Sequence, residues 1–536
     1  MSLRSNILNR AKSEVFDVLI IGGGINGASS AAALSAIGIK VALVDQNDFA
    51  SFTSQESSNL VWGGIKYLET GEVGLVNKLC KSRNHLIKSY PSSVKEIRFF
   101  TTLAKGFRMP RLFLYIGACI YWLLGRGFTR PPKLLSLKDI NNKEPVVNTE
   151  DAVGGIEYSD AYLIDNDARF VFGFIREAMD HGAVCLNYLK LENAERLSGV
   201  WAGHVRDVVS GEAFKINARA LINATGPFAD KLNGVLHQKT KNQHLFSKGI
   251  HLIVPQITKS KNVLTFFADD GRLFFIIPMG RRSCIGTTDT RVENLPPHAT
   301  KEDRQFILDN INKRLNLTKP LSISDIISER CGVRPLVATS SSDSGDWTSL
   351  SRKHAMESDN DRMLITIFGG KLTDCLNIGD EITALVRSFG ITPTHPDAKW
   401  YGEPPEEEKN RFFHQASLMN LDGLTAKGSP EPLSIRLWRR YGRRAFRLLN
   451  DIQRDPRMSD VVIDGTEYIK CELHLAKEQE MVVNLEDFLR RRSKIALINS
   501  KEKLLKSNGL LEACKILFGG EGRSKFDDYF LPQEND

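Results

Sequence analysis

The chain has 536 residues, 42% hydrophobic and 25% charged, a length and balance that demand several packed layers and more than one domain. Its 72 Lys and Arg against 64 Asp and Glu leave a formal charge of +8, a mild excess that suits anionic substrates, lipid headgroups or nothing specific and does not point to a nucleic-acid partner. The eight cysteines are scattered without a Cys-x-x-Cys pair, so neither a disulfide framework nor any metal site is expected, and a reducing, cytoplasmic setting fits them.

The first predicted element is a strand over 17–21, after a polar stretch from Met1 to Glu14 that lacks the apolar core of a secretory signal. The strand runs into Gly22-Gly-Gly-Ile-Asn-Gly27 and an Ala/Ser-rich helix to about Ala36, the setting in which a G-x-G-x-x-G turn binds a dinucleotide. Gly22 permits the tight turn, Gly24 admits the pyrophosphate close to the backbone and Gly27 lets helix and strand touch. Ile25 and Asn26 open the helix whose free N–H groups face the phosphates. A second strand over 40–44 leads to Asp45, an acid placed to accept the ribose hydroxyls, with Gln46 beside it.

The segment after this strand separates FAD from NAD. Phe49 to Glu69 is rich in hydroxyls and glycines where a nicotinamide enzyme would continue its strand and helix alternation, and such a loop can wrap a flavin. Its Thr53-Ser54-Gln-Glu-Ser57-Ser58 and Gly63-Gly64-Ile65-Lys66-Tyr67-Leu68-Glu69 resemble the Thr-Ser-x-x-Ser-Ser stretch and the Gly-Gly-x-Arg-Tyr-Leu-Glu signature of the flavin-dependent glycerol-3-phosphate dehydrogenases. Where bacterial members usually read Lys-Leu-Ile-His-Gly-Gly-Leu-Arg-Tyr, this chain reads Asn59-Leu-Val-Trp62-Gly-Gly-Ile-Lys66-Tyr67. These three polar changes beside the expected pocket should alter substrate choice more than flavin binding.

Further along, Leu112 to Leu124 is apolar but shorter than the ~20 residues a spanning helix needs. Lys105, Arg108, Arg111, Arg126, Arg130 and Lys133 flank it. It reads either as a peripheral contact on the inner face of a membrane, by which related enzymes pass electrons to quinone, or as a buried core helix with solvated basic ends. Oxygen is the other acceptor considered. The resemblance recurs in order in Tyr158-Ser-Asp160, Asp167-Ala-Arg169, Ala220 to Pro227, Lys248-Gly-Ile-His251, Ile285 to Asp289, Gly332-Val-Arg334-Pro335 and Phe368 to Thr373. It ends with Glu480-Met-Val482 and Leu485 to Arg491 of a C-terminal extension. Besides the glycine turn, it implies FAD contacts at Thr53, Ser54, Ser58, Asn59, Leu60, Cys185, Ala224, Gly226, Gly370, Lys371, Leu372 and Thr373.

The fold class so implied is α/β: a Rossmann-like FAD-binding unit of the glutathione-reductase and D-amino-acid-oxidase type over 14–236 and 353–400, with an insertion around 105–133. An antiparallel-sheet substrate domain is expected over 237–352, where apolar runs at 251–254, 273–277 and 283–285 read as strands. The helix predicted from Leu376 to Val386 starts after Gly369 and Gly370, so its positive end points toward the flavin. Residues 401–536 read as an all-helical cap without visible chemistry, its Arg436 to Arg447 cluster as a solvated face.

For an alcohol substrate, hydride passes to flavin N5 while a side chain or water takes the hydroxyl proton. His251 is the candidate base, or a histidine satisfied at a strand end. Arg334 resembles the family's substrate-anion ligand, or forms a structural ion pair. Lys371 and Lys66 supply positive charge, and Tyr67 donates to substrate or simply packs. The small-molecule substrate expected is a phosphorylated alcohol, most like sn-glycerol 3-phosphate, or another hydroxyl or amine compound handled by the same chemistry.

Overall fold

The computed structural model describes residues 3–268, 271–339 and 353–531; the border expected at 352 falls outside them. Strand Val15–Ile21 lies at the centre of the first sheet, parallel to Val41–Val44 on one side and to the returning Ala213–Asn223 on the other. Val184–Leu186 and Leu364–Phe368 extend the parallel set outward. The central residues of these strands are aliphatic because they are buried, as at 18–21, 41–44, 220–222 and 364–365, whereas Val15, Lys215, Asn217 and Arg219 at the strand ends nearer solvent are exposed. Helix Ile25–Ala36 packs between Asp167–Asp180 and Cys375–Ser388, and its run of alanines allows that close approach.

The second sheet is built on the long antiparallel pairing of Asn242–Pro255 with Ser328–Thr339. Arg282–Gly286, Leu273–Met279 and Val263–Phe267 follow in order. The sheet then departs from the expected division, because Val94–Ala104, Lys133–Leu135, Ala152–Leu163 and Leu60–Val61 join it, Val94–Ala104 parallel to Val263–Phe267. Residues read as part of the nucleotide unit thus complete the substrate sheet. Strand partners are chosen by packing at long range, which local alternation does not reveal.

Helix Arg111–Leu124 also decides between two readings. Ala118 and Tyr121 are buried, while Leu112, Phe113, Ile116, Ile120 and Leu123 are exposed, so one apolar face is open and the core-helix alternative does not hold. Among the described residues no helix is long and apolar enough to cross a membrane.

The C-terminal helices, from Glu406–Leu418 to Gly522–Phe530, are bound to the first unit through buried charge. Arg492 meets Asp48 with two parallel hydrogen bonds of 2.8 Å, and Arg491 adds a third at 2.6 Å. Burial alone would raise the Asp48 carboxyl, but the two guanidiniums hold it at about 2. Arg490 bonds Glu56 at 2.9 Å, and Asn166 donates to the carbonyls of Arg490 and Ser493. The solvated Arg436 to Arg447 face is also corrected. Arg436, Arg439 and Arg440 are buried, paired with Glu472 and Asp165, because their acidic partners lie far off in sequence.

Removing one partner of a buried charge cluster leaves the others uncompensated. Asp48→Ala is expected to destabilise the protein by about 3–5 kcal/mol in denaturant unfolding. An unchanged midpoint would show that the cap is held by other contacts. Because the folded-state pKa of Asp48 is depressed, this stabilisation is present above the ordinary carboxylate range and is lost as pH falls toward about 2.

Candidate active site

A cleft of about 510 Å³ opens at the C-terminal end of Val15–Ile21, lined by Gly22, Gly24, Ile25 and Asn26. Gly22 has φ +108°, and a Cβ there would lie 2.5 Å from the Ala224 carbonyl oxygen; one on Gly27 would lie 1.9 Å from that of Gly22. The start of the helix is drawn against the strand end only because these side chains are missing. Ser54 Oγ accepts the Ile25 N–H at 3.0 Å, so the hydroxyl-rich loop caps the helix, and a Cβ on Gly24 would meet that oxygen at 3.2 Å. Asp45 and Gln46 line the same cleft. Asp45 accepts the N–H groups of Gly23 at 2.7 Å and Asn47 at 2.9 Å, and burial raises its carboxyl to about 6.

Leu189 to Glu192 and Ala224 to Phe228 form further walls, with the rings of Phe52 and Phe228 4.9 Å apart. Gly369 and Gly370 line the far end, where Asn26 Nδ2 donates to the Gly369 carbonyl at 3.0 Å. Asn26 Oδ1 is buried there without a hydrogen-bond partner. A cradle that Cβ atoms would fill, an acid at the second strand end and an orphaned amide oxygen all fit a bound dinucleotide.

The adjoining face of the second sheet is set by register. Ser247, Gly249 and His251 stand directly opposite Arg334, Gly332 and Arg330, so all six share one face. The two glycines contribute no side chain to its middle, and Arg334 takes the space over Gly249, its guanidinium 2.2–2.6 Å from where a Cβ would sit. Arg334 donates to Thr287 Oγ1 at 2.9 Å and to the Thr288 carbonyl at 3.3 Å, with Asp289 at 3.4 Å. Loop 53–59 passes over Gly332, where Glu56 Cβ is 2.9 Å from the Cβ position. Arg330 is fully buried, bonded to the Ser57 carbonyl and Asn59 Oδ1. His251 is buried, and its Nδ1 has no hydrogen-bond partner. Burial, then the Arg334 and Arg330 cations, push the ring down to about 3, so it is neutral at physiological pH.

Lys371 Nζ bonds Tyr67 Oη at 2.7 Å and lies 4.3 Å from the centre of that ring; Trp62 is 6.0 Å from it ring to ring. The structure therefore joins Lys371 to Tyr67 and sets His251 and Arg334 on one face, whereas Lys66 is exposed. Thr53 donates to the Val333 carbonyl at 3.2 Å, Ser58 is half-buried, and Thr373 is buried beside Leu372.

Asn59 is not a pocket side chain. Its amide donates to the Asp165 carbonyl and accepts from Arg330, while its backbone groups bond Ser57 Oγ and the Leu163 N–H. A lysine at this spot would set two cations together. Leu60 is paired to Tyr162 in the second sheet. Cys185 is a fully buried strand residue of the first core and does not line the cleft, which takes Leu189 to Glu192 instead. Phe52, Glu56, Thr287, Asp289 and Arg330 are additions. Arg330 stands four residues before Arg334 in one strand, a spacing that two-residue alternation would have flagged.

Residues 17–352 match the family described as FAD dependent oxidoreductase (DAO), and 408–514 match the C-terminal domain of alpha-glycerophosphate oxidase. An aerobic glycerol-3-phosphate dehydrogenase of Staphylococcus epidermidis is 31% identical over 527 residues, 95% of this chain and 92% of that one. Its counterpart in Staphylococcus aureus is 31% identical over 522 residues, 94% and 90%. The glycerol-3-phosphate dehydrogenase of Bacillus halodurans, solved with FAD, superposes with a TM-score of 0.73 at 25% identity, covering 98% of this chain and 96% of that one.

Cofactor binding should respond to both pH and the glycine turn. If the Asp45 carboxylate is the acceptor for ribose hydroxyls, protonation weakens it as an acceptor, so FAD affinity should fall as pH drops through about 6, and Asp45→Asn should flatten that dependence. Flavin-release titrations between about pH 5 and 7.5 read this directly, and a parallel slope in the variant would assign it elsewhere. Gly24→Val should yield flavin-poor protein, since its side chain enters the cleft; normal flavin content would displace the pyrophosphate from this turn.

Proposed function

Because the chain belongs to the FAD-dependent oxidoreductase (DAO) family and carries the alpha-glycerophosphate-oxidase C-terminal domain, we propose that it oxidises sn-glycerol 3-phosphate to dihydroxyacetone phosphate. The observation that carries this reading is the neutral, unpartnered His251 Nδ1 on the same sheet face as the Arg334 guanidinium. Bound FAD supplies the hydride acceptor, its N5, so that the alcohol carbon loses hydrogen with its electron pair.

Arg334, steadied by Thr287 and Thr288, offers its fork to substrate oxygens. Gly249 lets the Arg334 guanidinium lie flat against the sheet, and Gly332 lets the loop bearing Glu56 pass close over it. His251 Nδ1 takes the hydroxyl proton, which leaves the carbonyl of the product. Its proton affinity is lowest when the site is empty, because burial and the two arginines oppose the imidazolium. A dianionic substrate offsets that charge and raises the affinity as the proton arrives. Lys371, oriented by Tyr67, adds positive charge to the cofactor's far end.

A second reading, another hydroxyl or amine substrate, is favoured by Lys66, which is exposed and lacks the planar fork of the arginine usual at that position. Anaerobic flavin reduction decides between them: glycerol 3-phosphate should outpace other alcohols and amines, and a better substrate would replace it.

For electron output the reading is quinone reached at a membrane surface, with oxygen as the alternative. Its support is the open apolar stripe of Arg111–Leu124 and the exposed Lys105, Arg126 and Lys133 around it.

Arg334→Ala should keep FAD but lose about 2 kcal/mol of transition-state stabilisation, roughly a thirtyfold fall in kcat/KM. Flavin reduction at the unaltered rate would remove Arg334 from the site. Leu112→Ser, Phe113→Ser and Leu123→Ser combined should abolish cosedimentation with anionic vesicles while flavin content stays; equal binding by the variant would move the contact elsewhere.

A further inference from the structure

Away from the cofactor cleft, a cavity of about 630 Å³ lies where helix Asp167–Asp180, the linker at 399–405 and helix Leu433–Tyr441 with its following turn converge. Its walls hold six arginines and Lys399 against the four carboxylates Asp165, Glu177, Asp180 and Glu403. Most of these cations are matched: Arg169 with Glu480 at 2.7 Å, Arg439 and Arg440 with Asp165 at 3.1 and 3.5 Å, Arg443 with Glu408 at 2.6 Å, Arg444 with Asp180 at 2.5 Å.

Arg176 is not. Among the described residues no carboxylate lies within 4 Å of it, and its hydrogen bond is to the Arg440 carbonyl at 3.3 Å, a neutral acceptor. Lys399, across the cavity on the linker, has no carboxylate among those residues either; its ammonium lies 5.2 Å from the centre of the Tyr401 ring. Burial, then the Arg169 and Arg444 cations, lower the Arg176 guanidinium to about 10. Arg176 is half-buried, and Glu480 and Asp180, both beyond 4 Å, offset only part of this, so an anion joining these cations would stabilise them.

We propose that this cavity is a second binding site, which takes a phosphorylated small molecule with its phosphate between Arg176, Lys399 and Arg444. These cations come from three separate elements, so they reach an anion from several directions, which matches the tetrahedral spread of phosphate oxygens better than the two coplanar oxygens of a carboxylate. The volume far exceeds that of an inorganic ion, and Tyr90, Phe170 and Trp438 give the rest of the ligand an aromatic wall. Since the walls come from both the nucleotide-binding unit and the cap, the ligand clasps the two together. The site does not depend on which alcohol the enzyme oxidises.

The test is calorimetric titration of the FAD-loaded protein with inorganic pyrophosphate, followed in parallel by flavin absorbance, with citrate as the carboxylate comparison. Saturable pyrophosphate binding that leaves the flavin spectrum unmoved is expected, tighter than citrate and accompanied by a rise in Tm. Arg176→Gln should weaken it at least tenfold at unchanged flavin content, with partial recovery in Arg176→Lys. Lys399→Gln, on the exposed linker, gives the same reading should Arg176→Gln fold poorly. Binding that always perturbs the flavin, that is indifferent to both substitutions, that favours citrate, or that never saturates would overturn the proposal.

Discussion

One carboxylate set against two guanidiniums in the interior fixes the geometry of the cofactor side. Asp48 follows the second strand by four residues, and Arg491 and Arg492 reach it from the far end of the chain. None of the three can turn away without stranding charge out of water. The loop that leaves Asp48 is therefore anchored at its root, and it carries Ser54 to the helix start, Glu56 over Gly332 and Ser57 to Arg330. A helical cap with no reacting group of its own thereby sets the position of groups that do touch the cofactor cleft and the substrate face.

The parts of this architecture legible in the sequence are those determined by near neighbours. The glycine turn between strand and helix is a local steric requirement, and Gly22 and Gly27 meet it at contacts that no side chain would allow. Strands at 251–254, 273–277 and 283–285 are visible from alternation alone, and each lies within an observed strand. Choices among distant partners are the hidden part. Arg436, Arg439 and Arg440 look like a solvated face until Glu472 and Asp165 are placed beside them. Asn59 resembles a cofactor contact, yet Arg330, 271 residues on, claims its side chain. Cys185 lies within the right strand, but the chain lines the cleft only once that strand has ended.

The insertion at 111–124 shows the same division at the scale of one helix. Its composition is equally suited to a core or to an interface, and only its contacts decide. Tyr121 turns inward to Asp160 at 2.8 Å and shares it with Arg83 at 3.1 Å, while the opposite apolar stripe stays open. Asp160 also accepts the Gly63 N–H at 3.0 Å, so the helix and the loop bearing Trp62, Lys66 and Tyr67 hang from a single buried acid. A surface segment and a substrate-side segment are thus held in fixed relation.

The two glycines in the middle of the face that carries His251 and Arg334 have a consequence for what substitution can do there. At Gly249 and Gly332 the wall is main chain, and even a methyl group there meets Arg334 or Glu56. Selection for a new substrate has no graded steps available at those two positions. Trp62, Lys66 and Tyr67 are constrained unequally, because Tyr67 bonds Lys371 and packs beside Trp62 while Lys66 is exposed. Of this chain's departures from the family pattern, Lys66 therefore stands where a new side chain meets solvent, whereas Trp62 stands where it must fit against Tyr67.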